Sequence, residues 1–343
     1  MSEKYQQFFR PEYRLSILTG TEIVQPVHSV FPETKAFLST MQAMSCDIIP
    51  LFYITKISMP DTFFHWSASL SGISVTETVY TVTGGTARKA LVYKPAGKGP
   101  FPAMVCVHGG AWVSGDRFAT AGFAERVAAT GIVIMAIDTR LSPQYPYPAA
   151  VADVNCATRW LKYHAGRYEI DPGRIGGLGV SSGGHLLLLS AMRFDDPRYC
   201  TEMPENVPLS VKADARMAFV VTCSGVLDPL ARYRMAEKNG DGDILLCHRA
   251  FFRHMEIMEE ASPPRILSRR EKAYLPPALF FQGSDDPRLP PDTAEKTARA
   301  WKRAGGTATA IIYPETGHSV GTWGKKELAD MLFRIQSLAS VSC

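Results

Sequence analysis

A Gly-x-Ser-x-Gly stretch at residues 179–183 constrains the fold of this chain more than any other feature. An apolar run at residues 174–178 precedes it, and a helix-like run at residues 185–189 follows it. This order predicts a strand, a tight turn with Ser181 at its apex, and a helix. The two outer glycines suit such a turn, because a side chain at either position would collide with the neighbouring strand or helix.

A second glycine-rich stretch, His-Gly-Gly-Ala-Trp, lies at residues 108–112, directly after the apolar run 103–107. Backbone N–H groups at the start of the helix after Ser181 have no intrahelical partner, so they are free to bind an oxyanion. Alone, Gly-x-Ser-x-Gly is also typical of a turn without chemistry. The upstream stretch favours an active site.

The rest of the chain alternates between apolar runs and helical patterns. This predicts an α/β fold, with a mainly parallel central sheet, helices on both faces and ligands bound beyond the carboxyl ends of the strands. The predicted strands cover residues 90–93, 103–107, 132–137, 174–178, 218–222, 278–281 and 308–313, and the main predicted helices cover 118–129, 149–164, 293–304 and 325–338.

Two regions interrupt the alternation. Residues 226–274 are mostly helical, and we expect them to form a cap insertion over the carboxyl edge of the sheet. Residues 76–225 and 275–343 then form the α/β core. Residues 1–75 mix aromatic residues and prolines, and they are expected either to contribute to the cap as an N-terminal arm or to pack away from the site.

The composition excludes several functional classes. With 37 basic and 33 acidic residues the net charge is +4, and no clustered basic face suggests nucleic acid as a partner. No apolar run is long enough to span a bilayer, and the polar N-terminus lacks the pattern of a signal peptide. The scattered cysteines favour a reducing compartment, so we expect a cytoplasmic protein. They are at positions 46, 106, 156, 200, 223, 247 and 343.

A serine nucleophile needs a base within hydrogen-bonding distance, and the base needs an acid to orient it. In the α/β-hydrolases, of which such a turn is typical, the acid and then the histidine follow the serine along the chain. The loop after strand 278–281 offers Asp285 and Asp286, and the loop after the last strand offers His318. His248 and His254 fall in the helical cap segment, six residues apart and off one helical face, which argues against a metal site. We predict no metal and no cofactor.

At these motifs the chain resembles the α/β-hydrolase superfamily, in particular the hormone-sensitive-lipase-like, feruloyl-esterase-like and kynurenine-formamidase-like serine esterases. The resemblance covers roughly residues 85–335. Beyond the two glycine-rich stretches it includes Asp-Thr-Arg-Leu-Ser-Pro at 138–143, Asp-Pro-x-Arg-Ile at 171–175 and Ser-Ser-Gly-Gly-His-Leu at 181–186.

The resemblance implies a catalytic triad of Ser181, Asp286 and His318, with Asp286 favoured over Asp285 as the acid. It also implies an oxyanion hole built from the N–H groups of Gly110 and Ala111, with Gly109 nearby, and of Ser182. Trp112 is expected either to line the pocket or only to pack. Thr139, Gln144 and Val180 depart from the usual family residues and leave the identity of the substrate open.

The sequence therefore predicts a serine hydrolase that cleaves a carboxylic ester, or a lactone, thioester or activated amide, through an acyl-enzyme on Ser181. An alternative keeps the triad but passes the acyl group to an internal alcohol or amine, as a cyclase or acyltransferase does. A more remote alternative is a non-catalytic ligand-binding member of the fold. The expected partner is a small-molecule acyl substrate, and a homodimer is compatible with the sequence.

Overall fold

The computed structural model describes residues 69–70, 72–208, 210–211, 213–320 and 323–341. Nine strands form one sheet in the order β1-β2-β3-β5-β4-β6-β7-β8-β9. The pairs β1–β2, β2–β3 and β3–β5 are antiparallel. All the other neighbouring strands, from β5 to β9 across the sheet, are parallel. The strands are β1 (Ser69–Leu70), β2 (Ile73–Thr83), β3 (Thr86–Pro95), β4 (Phe101–Val107), β5 (Val133–Ile137), β6 (Ile170–Val180), β7 (Val220–Cys223), β8 (Ala278–Gly283) and β9 (Ala308–Tyr313).

Nine α-helices accompany the sheet in the described part of the chain. They are α1 (Ala121–Ala128), α2 (Ala149–Tyr163), α3 (Ser182–Met192), α4 (Pro229–Asn239), α5 (Gly242–Phe252), α6 (Met255–Glu260), α7 (Pro263–Ser268), α8 (Thr293–Arg303) and α9 (Lys325–Ser340). A short 3₁₀ helix at Ala165–Tyr168 follows α2. The predicted α/β architecture is confirmed.

The central strand β4 shows why helices cover both faces of the sheet. All its residues after Phe101 are buried, and successive side chains point to opposite faces. Val105 and Val107 belong to an apolar cluster shared with α2, α3 and α8, whereas Met104 and Cys106 belong to a second cluster with α1 and α9. A strand covered on both faces has a continuous apolar sequence, as residues 103–107 do.

The sequence analysis did not predict the β2–β3 hairpin. β2 begins at Ile73, three positions before the expected start of the core at residue 76. Thr83 pairs with Thr86 across a two-residue loop, and both loop residues, Gly84 and Gly85, have positive φ. A Gly-Gly pair between runs of β-branched residues is typical of a hairpin, so this hairpin could have been predicted from the sequence. The rest of the expected arm, up to residue 68, lies outside the described residues.

The expected cap segment, residues 226–274, contains the four helices α4 to α7. Asp228 accepts a hydrogen bond from the Ala231 N–H and caps α4, and Asp241 caps α5 in the same way through Ile244. Gly240, between the two helices, adopts φ +69° and ends α4 in a left-handed conformation. Residues 239–243 therefore form a tight turn between two capped helices.

A buried ion pair fixes the loop after β5. Arg140 Nε lies 2.9 Å from Asp153 Oδ1, and the Arg140 N–H donates to Asp153 Oδ2 at 2.6 Å. Asp153 lies on α2 and is fully buried, and Arg140 also donates to the carbonyl of Ala149 at the start of that helix. The loop and α2 are thus held together by charge as well as by packing.

Arg140 Nη2 also pairs with Glu202 at 2.9 Å, so Asp153→Ala removes the fully buried partner of the guanidinium but leaves it one carboxylate. We therefore expect this variant to lower the free energy of unfolding by about 3 kcal/mol, the lower end of the range for breaking a buried ion pair. Urea unfolding followed by circular dichroism measures this loss. The matched control is Glu295→Ala, which breaks an exposed pair with Arg299 at 3.6 Å. That variant is expected to lose about 0.3–0.5 kcal/mol. Similar losses of unfolding free energy in both variants would contradict a stabilising role for the buried Arg140–Asp153 pair.

Candidate active site

Ser181 lies between β6 and α3 at the apex of a sharp turn. Its φ of 52° and ψ of −120° are unusual for a residue with a side chain, and such a conformation costs about 1–3 kcal/mol. The backbone holds it in place, since Ser181 N–H donates to Cys223 O at 3.0 Å and Ser181 O accepts from Val226 N–H at 2.9 Å. The turn is therefore fixed against the end of β7.

The glycines around Ser181 are required by space. A Cβ at Gly179 would lie 2.6 Å from the carbonyl oxygen of Gly183. A Cβ at Gly183 would overlap the carbonyl oxygens of Val107 and His108 at the end of β4. The backbone of α3 thus approaches β4 and β6 too closely for any larger residue, as the sequence predicted.

His318 lies in the loop after β9 and joins Ser181 to Asp286. Its Nδ1 is 2.8 Å from Asp286 Oδ2, and its Nε2 is 2.9 Å from Ser181 Oγ. A carboxylate oxygen only accepts, so Nδ1 carries the proton, and Nε2 is left to accept from the serine hydroxyl. The Asp286 side chain is fully buried, whereas the His318 side chain is 25% exposed.

The loops that carry the acid and the histidine are tied to each other. Asp285 N–H donates to Thr316 O at 3.0 Å, and Ser284 N–H donates to Tyr313 O at 2.8 Å. The exposed Asp285 carboxylate accepts from the Ser284 hydroxyl at 2.7 Å. Of the two adjacent aspartates, the structure brings Asp286 to His318 and leaves Asp285 at the surface.

The loop after β4 bends back towards the serine. Gly110, Ala111 and Trp112 all have positive φ, at 112°, 50° and 65°. A Cβ on Gly109 would lie 3.1 Å from Ser181 Cβ, so the loop is in contact with the serine. Within the described residues, the N–H groups of Gly110 and Ala111 donate no hydrogen bond.

Ser182 begins α3, where N–H groups have no partner inside the helix. Its hydroxyl accepts a hydrogen bond from Trp112 N–H at 3.3 Å. This bond links the loop after β4 to the start of α3. The N–H groups predicted for the oxyanion hole therefore lie on two elements that are joined directly.

His108 forms hydrogen bonds that hold the same loop in place. Its Nδ1 lies 2.6 Å from Gly109 O and must donate, so its Nε2 accepts from Thr139 Oγ1 at 3.2 Å. Burial lowers the pKa of His108, which keeps the ring neutral in this arrangement. Thr139, one of the departures noted in the sequence, therefore contacts the histidine that holds the loop.

The Trp112 side chain is only 3% exposed and lies among aromatic rings. It stacks on Phe251 with a centroid distance of 5.0 Å and an interplanar angle of 8°. His185, Arg232 and His248 also surround it. Sequence analysis gave no role to these three residues, since their proximity depends on how α4 and α5 pack on α3.

No helix in the described ranges is long and apolar enough to cross a membrane. The five cysteines that the structure describes are free thiols.

The sheet order, the turn at Ser181 and the hydrogen-bonded chain to Asp286 define the protein as an α/β-hydrolase. Residues 91–300, more than half of the chain, match the BD-FAE family model, so the chain belongs to the BD-FAE family.

Two curated relatives come from Mycobacterium tuberculosis. The chain is 32% identical to Esterase LipC over 237 residues, which cover 67% of this chain and 55% of the relative. It is 34% identical to the probable carboxylic ester hydrolase LipM over 253 residues, which cover 71% of this chain and 55% of the relative. The chain thus spans about half the length of these relatives.

Solved structures share the fold at lower identity. A bacterial heroin esterase aligns with a TM-score of 0.65 and 22% identity, covering 90% of this chain and 92% of its own. A hyperthermophilic esterase from the archaeon Pyrobaculum calidifontis aligns with a TM-score of 0.62 and 23% identity, covering 78% and 86%. These likenesses establish the fold.

Proposed function

We propose that this protein is a carboxylic ester hydrolase that works through an acyl-enzyme on Ser181. The hydrogen-bonded chain from Asp286 through His318 to Ser181 carries the proposal. A hydroxyl alone is a weak nucleophile at neutral pH, and the imidazole of His318, whose Nε2 lies 2.9 Å from the hydroxyl and accepts from it, is the base it needs. The names of the relatives support an ester as the substrate.

In the first half of the reaction, Ser181 Oγ attacks the ester carbonyl carbon and its proton moves to His318 Nε2. Asp286 stabilises the imidazolium that results. The carbonyl oxygen becomes an oxyanion, which accepts hydrogen bonds from the N–H groups of Gly110, Ala111 and Ser182, with Gly109 leaving room beside the serine. One such donor is typically worth about 3–4 kcal/mol in the transition state.

In the second half, His318 returns its proton to the leaving alcohol, and the acyl group stays on Ser181. Water then attacks the acyl carbon and gives one proton to His318 Nε2. The bond from the acyl carbon to Ser181 Oγ breaks as His318 returns that proton to Oγ, which releases the acid and restores the serine. We further propose that residues 226–274 act as the cap of this site, with residues 1–75 as the expected contributing arm. The cytoplasmic location and the homodimer remain predictions.

A fluorophosphonate probe tests the nucleophile directly. We expect the wild-type protein to be labelled at one residue per chain, and peptide mass spectrometry to place the adduct on Ser181. A p-nitrophenyl butyrate assay with product analysis should show release of the free acid. Transfer of the acyl group to an alcohol or amine instead would favour the acyltransferase alternative, and no adduct on Ser181 would overturn the proposal.

A further inference from the structure

Four polar side chains meet where the cap segment contacts the core. We call Trp112, His185, Arg232 and His248 the seam cluster. Trp112 and His185 come from the core, Arg232 from α4 and His248 from α5. The Trp112 ring centroid lies 4.8 Å from that of His248 and 5.5 Å from that of His185, and 5.9 Å from the guanidinium carbon of Arg232. All four side chains are at least nine-tenths buried.

The seam cluster holds buried polar atoms that lack hydrogen-bond partners. Five of its nitrogen atoms have no hydrogen-bond partner in the described part of the chain. They are Trp112 Nε1, His185 Nδ1, Arg232 Nη1 and both ring nitrogens of His248. Leaving such a group unsatisfied is costly, because it loses its hydrogen bonds to water and gains none in the protein. Five of these atoms in one small volume is far from the usual pattern of a protein core, where buried polar groups are bonded.

Arg232 is the only charged member of the seam cluster. Burial lowers its pKa to about 10, so it remains a cation at neutral pH. Burial, with the nearby Arg232 charge, lowers the pKa of His248 to about 2, and burial lowers that of His185 to about 4. Both rings are therefore neutral.

Asp286 and Asp241 act on the Arg232 charge through space, but neither is paired with it. Arg232 Nε donates to the carbonyl oxygen of Arg288 at 3.0 Å, and among the described residues no carboxylate forms an ion pair with Arg232. Arginine is rarely so deeply buried without a paired anion.

The unpartnered atoms are mostly donors. Indole and guanidinium nitrogens only donate, and neutral His248 offers one N–H. His185 Nε2 donates to Ala261 O at 2.8 Å, so its Nδ1 is an acceptor. A positive charge and three unpartnered donor groups within about 6 Å of the Trp112 ring complement a carboxylate, which carries one negative charge and accepts up to four hydrogen bonds.

The seam cluster begins one helical turn from the proposed nucleophile. His185 is four positions after Ser181, a rise of about 6 Å along α3. Trp112 N–H also bonds to the Ser182 hydroxyl at 3.3 Å. We infer that the seam cluster is a carboxylate-binding subsite, and that the substrates are esters carrying a second, free carboxylate, such as monoesters of dicarboxylic acids. This inference rests on the proposed ester hydrolysis.

A matched pair of substrates tests the inference. One is mono-p-nitrophenyl adipate, which has a free carboxylate, and the other is p-nitrophenyl methyl adipate, in which it is methylated. We define the preference as the ratio of their kcat/KM values, corrected for spontaneous hydrolysis. The wild type should favour the free carboxylate, and Arg232→Met should lower the preference at least about tenfold, because it removes the buried charge. Arg232→Lys should retain part of it.

The control is Arg234→Met, an exposed arginine two positions further along α4. It should leave the preference unchanged. Arg232 also holds the Arg288 carbonyl, so Arg232→Met is expected to slow both substrates. A loss shared by the two substrates cancels in the preference, which therefore reports carboxylate recognition alone. Trp112→Phe, which keeps an aromatic ring but removes one donor, gives an independent second variant and should lower the preference by a smaller factor.

Each result has a defined consequence. An equal preference in wild type, Arg232→Met and Trp112→Phe overturns the inference. Inhibition of the neutral ester by free adipate or acetate, lost in Arg232→Met but without any preference between the two esters, supports an anion site and overturns the substrate class. Fluorophosphonate labelling of the wild type separates a failure of the proposed ester hydrolysis from a failure of the carboxylate subsite. Without labelling the proposed function fails, and with labelling but no preference only the subsite fails.

Discussion

Ser181→Ala is expected to lower kcat for p-nitrophenyl butyrate by about 10⁴- to 10⁶-fold, since the loss of a triad serine removes the covalent route altogether. Alanine keeps the turn filled, and the backbone bonds that hold residue 181 to Cys223 and Val226 do not involve the side chain. Steady-state kinetics measures the loss, and intact-protein mass spectrometry should show that fluorophosphonate labelling disappears. The melting temperature should change little.

Ser182→Ala is the matched comparison for this variant. It removes the neighbouring hydroxyl, which accepts from Trp112 N–H, but it keeps the Ser182 backbone N–H. We expect a loss of less than about tenfold, in keeping with one modest hydrogen bond. A loss in Ser182→Ala as large as that in Ser181→Ala would contradict the assignment of the nucleophile.

Asp286→Asn is expected to lower kcat by about 10⁴-fold while the protein stays folded. Asp286 Oδ1 accepts from Arg288 N–H at 2.8 Å, so the oxygen of the new side-chain amide stays at that position. The amide nitrogen then faces His318 Nδ1 and donates to it. The imidazole proton moves to Nε2, and His318 is no longer able to accept the proton of Ser181.

The adjacent Asp285→Asn variant is the control, with the same change of charge. Asp285 is exposed and bonds to the Ser284 hydroxyl, a contact that an amide oxygen preserves. Its kcat should therefore stay close to that of the wild type. The two variants are compared by kcat and by circular dichroism, and equal losses would show that the net charge of the loop, rather than the orientation of His318, supports the reaction.

The turn at Ser181 illustrates what local sequence determines. An apolar strand, a glycine-flanked serine and a helical run specify a strand–turn–helix unit, because each part follows from nearest-neighbour sterics and hydrophobic periodicity. β4 was predictable for the same reason, since a strand buried on both faces has a continuous apolar sequence. The Gly84-Gly85 hairpin carried an equally local signal that the analysis did not use.

The acid loop shows where local information ends. Asp285 and Asp286 are adjacent residues of the same type, and only a resemblance favoured the second. In the structure, the bond from Asp285 N–H to Thr316 O fixes the direction of the loop, so that the next side chain points towards His318. That bond joins two loops that follow different strands, and its partners are set by the pairing of β8 with β9.

The sequence by itself therefore determined the order of strands and helices from β3 onward, the serine turn and the chemical types of the three side chains that meet there, because these depend on contacts within a few residues. Only the tertiary structure decided which aspartate faces His318 and that Arg232 and His248 are buried beside Trp112. These placements depend on how helices from the 226–274 segment pack on α3 and on the loop after β4. Such long-range packing follows the shapes of whole elements, which no short stretch of sequence encodes.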